Sequence, residues 1–213
     1  MKLEHYKTLL FDCDGVLLNS NTVKTQAFYQ AALPYGERAA KELADYHVQN
    51  GGISRYSKFE YFQRAILSQP FDITVNNNLL EAFATEARKG LLTCEVAVRL
   101  EEIRNATRDS RWMVVSGGDQ TELRDIFALR GIEHFFDSEI FGSPDDKDMI
   151  LFRELATGKL RLPAVFFGDT KYDMEVAMRA GLDFVFVSGW SEYPFLCAET
   201  TGLPSIRQLS DLL

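Results

Sequence analysis

Cysteine is scarce. The 213 residues contain three, Cys13, Cys94 and Cys197, far apart and in no Cys-x-x-Cys pair, which argues against a disulfide framework or a thiolate zinc site and favours a reducing compartment. Histidine is equally sparse: His5, His47 and His134 stand at no metal-ligand spacing and read as structural or surface residues. Positive charge is in deficit, 23 Lys and Arg against 31 Asp and Glu for a net charge of −8. That balance disfavours a general nucleic-acid or anionic-membrane surface, so any anion site must be local. No apolar run approaches membrane-spanning length, and the charged opening, residues 1–7, has no signal-peptide core. The expectation is a cytoplasmic protein that engages neither membrane nor nucleic acid.

Hydrophobic residues make up 46% and charged residues 25%, the balance of a folded globular chain long enough for one domain or a core with one small insertion. Short apolar runs ending in polar or glycine-rich turns recur at Thr8–Phe11, 112–116, Ala164–Gly168 and 184–188, the last three separated by helical stretches. This alternation is that of a parallel α/β sheet. Between the first two runs, residues 18–91 contain no convincing strand. They read as four helices, near 22–33, 37–49, 55–67 and 78–89, broken by Pro34, Gly51-Gly52 and the Pro70 region. Tyr56, Phe59, Phe62 and Ile66 recur near helical spacing and predict core contacts, and Asn76-Asn77-Asn78 reads as a loop and helix start.

The chemistry-bearing residues fall just after the apolar runs, where the carboxyl ends of parallel strands form a binding crevice. The first run delivers Asp12-Cys13-Asp14-Gly15. Two carboxylates one residue apart leave a strand on the same side and need a cation, a shared proton or water between them; a divalent metal is the natural answer. The second run leads to Ser116-Gly117-Gly118, Lys147 follows, and the run at 164–168 leads into Asp169-Thr170-Lys171-Tyr172-Asp173. Such a set suits phosphoryl transfer. A carboxylate nucleophile, Asp12, needs a metal and a cation to offset the charge of a phosphate ester. Mg²⁺ suits the Asp12 carboxylate, the Asp14 carbonyl and Asp169, with Asp173 holding its waters. Lys147, the Ser116 hydroxyl and the Gly117 amide would meet phosphoryl oxygens, and Asp14 could protonate the leaving oxygen and later activate water.

The order Asp-x-Asp-Gly, strand-Ser-Gly, Lys, Gly-Asp-Thr-x-x-Asp resembles the haloacid dehalogenase superfamily over nearly the whole chain, and the helical insertion resembles its subclass I cap. That resemblance implies an α/β fold with a Rossmann-like parallel sheet core, residues 1–17 and 92–213, and an inserted four-helix cap, residues 18–91. It implies Asp12 as nucleophile, Asp14 as acid/base, Ser116 and Lys147 as the phosphate-binding pair, and Asp169 with Asp173 at the metal. Asp148 stands where the family usually has proline after this lysine. In the cap, Arg55 and Lys58 lie three apart on a helix that Ser54 can cap, after Gly51-Gly52, and are the candidate substrate contacts. The stretch is similar to the specificity loop of subclass I sugar phosphatases and phosphomutases. The implied activity is a Mg²⁺-dependent phosphatase of a small phosphorylated metabolite, a sugar or sugar acid, of the phosphoglycolate phosphatase or β-phosphoglucomutase type. The alternatives are a phosphomutase or a non-catalytic binding relative. Lys24 occupies the place of the hinge histidine of β-phosphoglucomutase relatives, which favours hydrolysis.

Overall fold

The computed structural model describes residues 2–137, 139–193 and 202–213; Cys197 lies outside them. Six parallel strands, β1 (Thr8–Phe11), β2 (Arg111–Asp119), β3 (Ile140–Ser143), β4 (Ala164–Gly168), β5 (Asp183–Val187) and β6 (Ser205–Ile206), form one sheet in the order β3-β2-β1-β4-β5-β6. Parallel strands need crossover connections, and from β1 to β5 helices supply them. They are α1 (Asn21–Ala32), α2 (Glu37–Gln49), α3 (Arg55–Tyr61), α4 (Ile73–Leu91), α5 (Leu100–Ala106), α6 (Gln120–Leu129), α7 (Lys147–Ala156) and α8 (Lys171–Arg179). The strand order reverses direction between β1 and β4, and ligands of open α/β sheets bind outside the carboxyl ends at such a point.

The central strands are apolar on both faces because both are covered. Leu9, Phe11, Trp112, Val114, Val165 and Phe167 belong to one buried cluster, and Leu10, Met113, Val115 and Phe166 to a second that also holds Ile150 and Leu151 of α7 and Val176 and Ala177 of α8. In the first, the Phe11 ring stacks on Phe167 at 5.3 Å and meets Trp112 at 4.6 Å. Alternation along β1 therefore carries Asp12 to the Leu10 face, toward α7 and α8.

The first α-helices pack on one another: α1 lies against α2 and α4, and α3 against α4. Phe28, Phe59 and Phe83 are buried and in mutual ring contact. Two details differ from the expectation. The Asn76 cluster is inside α4, which starts earlier because the Asp72 side chain accepts from the amides of Thr74 and Val75 and caps it there. Tyr56 is exposed at 37% and is not a core residue; its hydroxyl donates to Asp119 at 2.8 Å. The third helix continues past Tyr61 as a π-helical turn, Phe62–Ile66. Strands β3 and β6 went unread because each is short, and β3 contains Gly142.

Candidate active site

Asp12 follows β1, and its amide donates to Phe167 O at 2.9 Å, so the β1–β4 pairing runs one residue past the strand. The chain then wraps around the Cys13 carbonyl, which accepts from the amides of Leu17 and Leu18. Gly15 makes this turn possible: its φ is +75°, and a Cβ there would overlap the Asp169 carboxylate. The turn thus folds the Asp-rich segment against the end of β4.

Asp12 Oδ1 accepts from the Cys13 amide at 2.7 Å and lies 3.0 Å from Lys147 Nζ. Lys147, 1% exposed, is the first residue of α7, and its ammonium also donates to Asp173 Oδ1 at 2.5 Å. Asp173 is itself fixed in a capping box at the start of α8, where its Oδ2 accepts from the Thr170 amide and hydroxyl. Asp12, Asp169 and Asp173 each bring an oxygen within 4.8 Å of the others. One lysine does not balance three buried carboxylates. Burial pushes the Asp12 carboxyl up to about 7, with Lys147 opposing and Asp173 and Asp14 adding to the rise. Asp169 is pushed well above the usual carboxylate range by burial, then by Asp12 and Asp173. Its Oδ2 accepts from Asn21 at 2.7 Å, while its buried Oδ1 has no hydrogen-bond partner among the described residues. An all-oxygen set with excess negative charge and an orphaned carboxylate oxygen fits a hard divalent cation.

The Asp14 carboxylate stands apart from this cluster. Its Oδ1 accepts from Ser20 Oγ and its Oδ2 from Lys24 Nζ, both at 2.5 Å. Burial alone would raise this carboxyl, but Lys24 and Ser20 hold it below its usual value. The neighbour that neutralises Asp14 is therefore Lys24 of α1, the residue at the place of the hinge histidine of β-phosphoglucomutase relatives.

A family model of haloacid dehalogenase-like hydrolases matches residues 6–181. The chain belongs to the haloacid dehalogenase-like hydrolases. Among solved structures, this hydrolase is similar to a predicted phosphoglycolate phosphatase from Haemophilus somnus (TM-score 0.74, 17% identity, 98% of this chain and 96% of that one). It is also similar to a haloacid dehalogenase-like family hydrolase from Streptococcus pneumoniae (TM-score 0.68, 20% identity, 97% and 96%) and to one from Bacillus subtilis solved bound to magnesium (TM-score 0.68, 17% identity, 98% and 97%). At these identities the likeness is one of fold. No curated protein sequence matches.

In this haloacid dehalogenase-like hydrolase, Ser116 is fully buried within β2 and its Oγ accepts from the Gly118 amide at 3.1 Å. Gly117 sits where β2 shifts register, and a Cβ on it would overlap the Gly52 carbonyl, so the loop before α3 rests directly on the end of β2. One pocket is lined by Asp12, Asp14 and Asp169 on the sheet side and by Lys24, Arg55 and Lys58 from the helices. Arg55 pairs with Glu122 of α6 and lies over the Phe83 ring at 4.5 Å; Lys58 Nζ is 2.7 Å from His47 Nδ1. Asp148 pairs with Arg179 at 2.8 Å and leaves Lys147 directed at Asp12.

Ser20, Asn21, Glu122 and His47 were not singled out as site residues from sequence. His5 and His134 are exposed, but His47 lines the pocket. The signal available for Ser20 and Asn21 was their place at the start of the helix that follows the Asp-x-Asp-Gly turn; Glu122 and His47 had none beyond residue type.

Proposed function

We propose that this hydrolase is a Mg²⁺-dependent phosphatase of a small phosphorylated metabolite, a sugar or sugar-acid phosphate, acting in the cytoplasm through an aspartyl-phosphate on Asp12. The observation that carries the reading is the buried grouping of Asp12, Lys147, Asp169 and Asp173 at the switch point of the sheet. The phosphatase named for the Haemophilus structure accords with it. In this reading residues 1–17 and 92–213 are the catalytic core and residues 18–91 a cap that closes over the substrate and excludes water.

Both hydrogen-bonding contacts of the Asp12 side chain fall on Oδ1 among the described residues, which leaves Oδ2 to attack phosphorus as the ester P–O bond breaks. Lys147, the Ser116 hydroxyl and the Gly117 amide take the phosphoryl oxygens. Asp14 gives a proton to the leaving alkoxide, then withdraws one from the water that attacks the acyl phosphate, freeing Asp12 and inorganic phosphate. The ionised Asp14 seen beside Lys24 suits the water-activating half. The donating half requires that contact to loosen, and an incoming phosphate competes for the same ammonium. Asp12, Asp169 and the Asp14 carbonyl would hold Mg²⁺, with Asp173 on its waters, and the ion would supply charge neutralisation for the attack.

The test is phosphate release from sugar, sugar-acid and aryl phosphates, with and without Mg²⁺, by wild type and Asp12→Asn. The expected outcome is metal-dependent release that falls to background in Asp12→Asn. Turnover surviving that substitution, or a folded wild type that releases no phosphate, would overturn the reading.

A further inference from the structure

At the amino ends of the strands, opposite the catalytic pocket, a groove of about 460 Å³ is lined by Lys7, Arg104, Arg108, Arg111 and Arg161. In a chain of net charge −8, five of the 23 lysines and arginines meet in one concavity. Two aspartates, Asp109 and Asp137, stand among them, which leaves an excess of three positive charges. A concavity walled mainly by one sign of charge focuses the field and draws in the opposite sign. Lys7 precedes Asp12 by five residues, roughly 16 Å along the strand, so this groove is separate from the catalytic one.

Three of the five cations leave from a floor that hydrogen bonds hold. Lys7 stands just before β1, its amide donating to the Pro163 carbonyl at 2.8 Å and its carbonyl accepting from the Arg111 amide at 2.9 Å. Arg161 is tied to β1 through Thr8, whose Oγ1 accepts from the Arg161 amide at 2.9 Å and donates to the Arg161 carbonyl at 3.0 Å. Arg104 is oriented from the side: it donates to the Ser110 carbonyl at 2.7 Å and to Asp137 at 3.1 Å, with its guanidinium 5.5 Å from the Trp112 ring centroid.

The compensation of these charges is uneven. Arg104 has Asp137 and Arg111 has Glu139 at 3.0 Å. The exposed Arg108 reaches Asp109 only at 4.0 Å, and Lys7 and Arg161, both exposed, have no carboxylate within ion-pair distance among the described residues. No aromatic or aliphatic side chain lines the groove among the described residues, so a base or a sugar ring finds no face to lie on. Charge and hydrogen bonds are what it offers, and guanidinium forks match phosphate oxygens in pairs. A phosphate group carries up to about two charges near neutrality. One such group leaves part of the excess unmet, and two linked groups meet it.

We infer that this groove is a second anion site, which takes a small anion bearing a diphosphate group through Lys7, Arg108 and Arg161, with Arg104 and Arg111 held ready at its margin. The site stands independently of the chemistry at Asp12.

The experiment is calorimetric titration with inorganic pyrophosphate, ADP and inorganic phosphate, in EDTA so that the anions carry no metal. The proteins are wild type, Lys7→Gln, Arg161→Gln, the two combined, and a charge-keeping pair, Lys7→Arg with Arg161→Lys. Both side chains are exposed, and thermal melting checks that each variant folds. Wild type is expected to bind one pyrophosphate per chain, about tenfold or more tighter than phosphate. ADP should bind within about threefold of pyrophosphate, because its base and ribose gain nothing. Each glutamine variant should weaken pyrophosphate by about threefold and the pair by about tenfold or more, while the charge-keeping pair stays within about threefold of wild type. A wild type that does not bind pyrophosphate at about 1 mM, or that binds phosphate equally well, overturns the inference. So does an affinity unchanged in the folded glutamine variants, or one lost as fully in the charge-keeping pair. ADP about tenfold tighter than pyrophosphate would overturn recognition through the phosphates alone.

Discussion

At the scale of single residues, the site is built from an imbalance of charge. Asp12, Asp169 and Asp173 crowd together with one lysine among them, and Asp169 keeps an oxygen without a partner. Removing one of these charges therefore relieves the metal-free protein. Asp169→Asn is expected to melt no lower than wild type without divalent metal, its amide oxygen still able to accept from Asn21. With Mg²⁺ near a hundredfold above its dissociation constant, wild type should gain about 2.7 kcal/mol while Asp169→Asn gains almost nothing. Differential scanning calorimetry with and without Mg²⁺ reads both numbers; a variant that Mg²⁺ stabilises as much as wild type would remove Asp169 from the proposed metal site.

Elements explain what was and was not legible. Strands β1, β2, β4 and β5 announce themselves as apolar runs because a parallel strand covered on both faces must be apolar throughout, and Asp12, Ser116 and Asp169 were readable because each stands at or just past the end of such a run. Strand β3 has four residues and β6 two, too few for a pattern. The early start of α4 depends on one cap, Asp72, a weaker signal in sequence than the three successive asparagines just after it. Glu122 and His47 acquire their meaning only from partners brought by the fold, Arg55 from another helix and Lys58 from a neighbouring one; no local pattern encodes that. The contact between the loop before α3 and the end of β2 is equally invisible in sequence, yet it yields a prediction. Gly117→Ala places a methyl group on the Gly52 carbonyl, an overpacking of about 1–3 kcal/mol. If the loop must sit there for turnover, kcat/KM should fall about 10- to 100-fold, with the thermal midpoint little changed because the loop can lift away. A midpoint that drops while kcat/KM holds would show a purely structural contact.

For the whole molecule, the question is what joins the helices of residues 18–91 to the sheet across the pocket. Arg55 with Glu122, Tyr56 with Asp119, Asn21 with Asp169 and Thr25 with Glu192 all cross that boundary. Of these four the first is the ion pair, and it is well covered, its side chains 6% and 12% exposed. Breaking one half strands the other: Glu122→Gln should cost about 3 kcal/mol in urea denaturation, and Arg55→Met together with Glu122→Gln should recover most of that loss. A double variant as unstable as the sum of the two singles would mean that the pair is uncoupled.

The strand order carries a consequence for how the molecule assembles. β1 lies at the middle of the sheet, and its pairing partners begin at Arg111 on one side and Ala164 on the other. A chain emerging from the ribosome therefore makes the strand that leads into Asp12 before either of its partners, and can pair it on one side only after Arg111 is out and on both sides only after Ala164 is. Closing such long loops is slow. Refolding should accordingly recover helical signal before enzymatic competence, since the acidic groups that repel one another meet only when the last central strand docks.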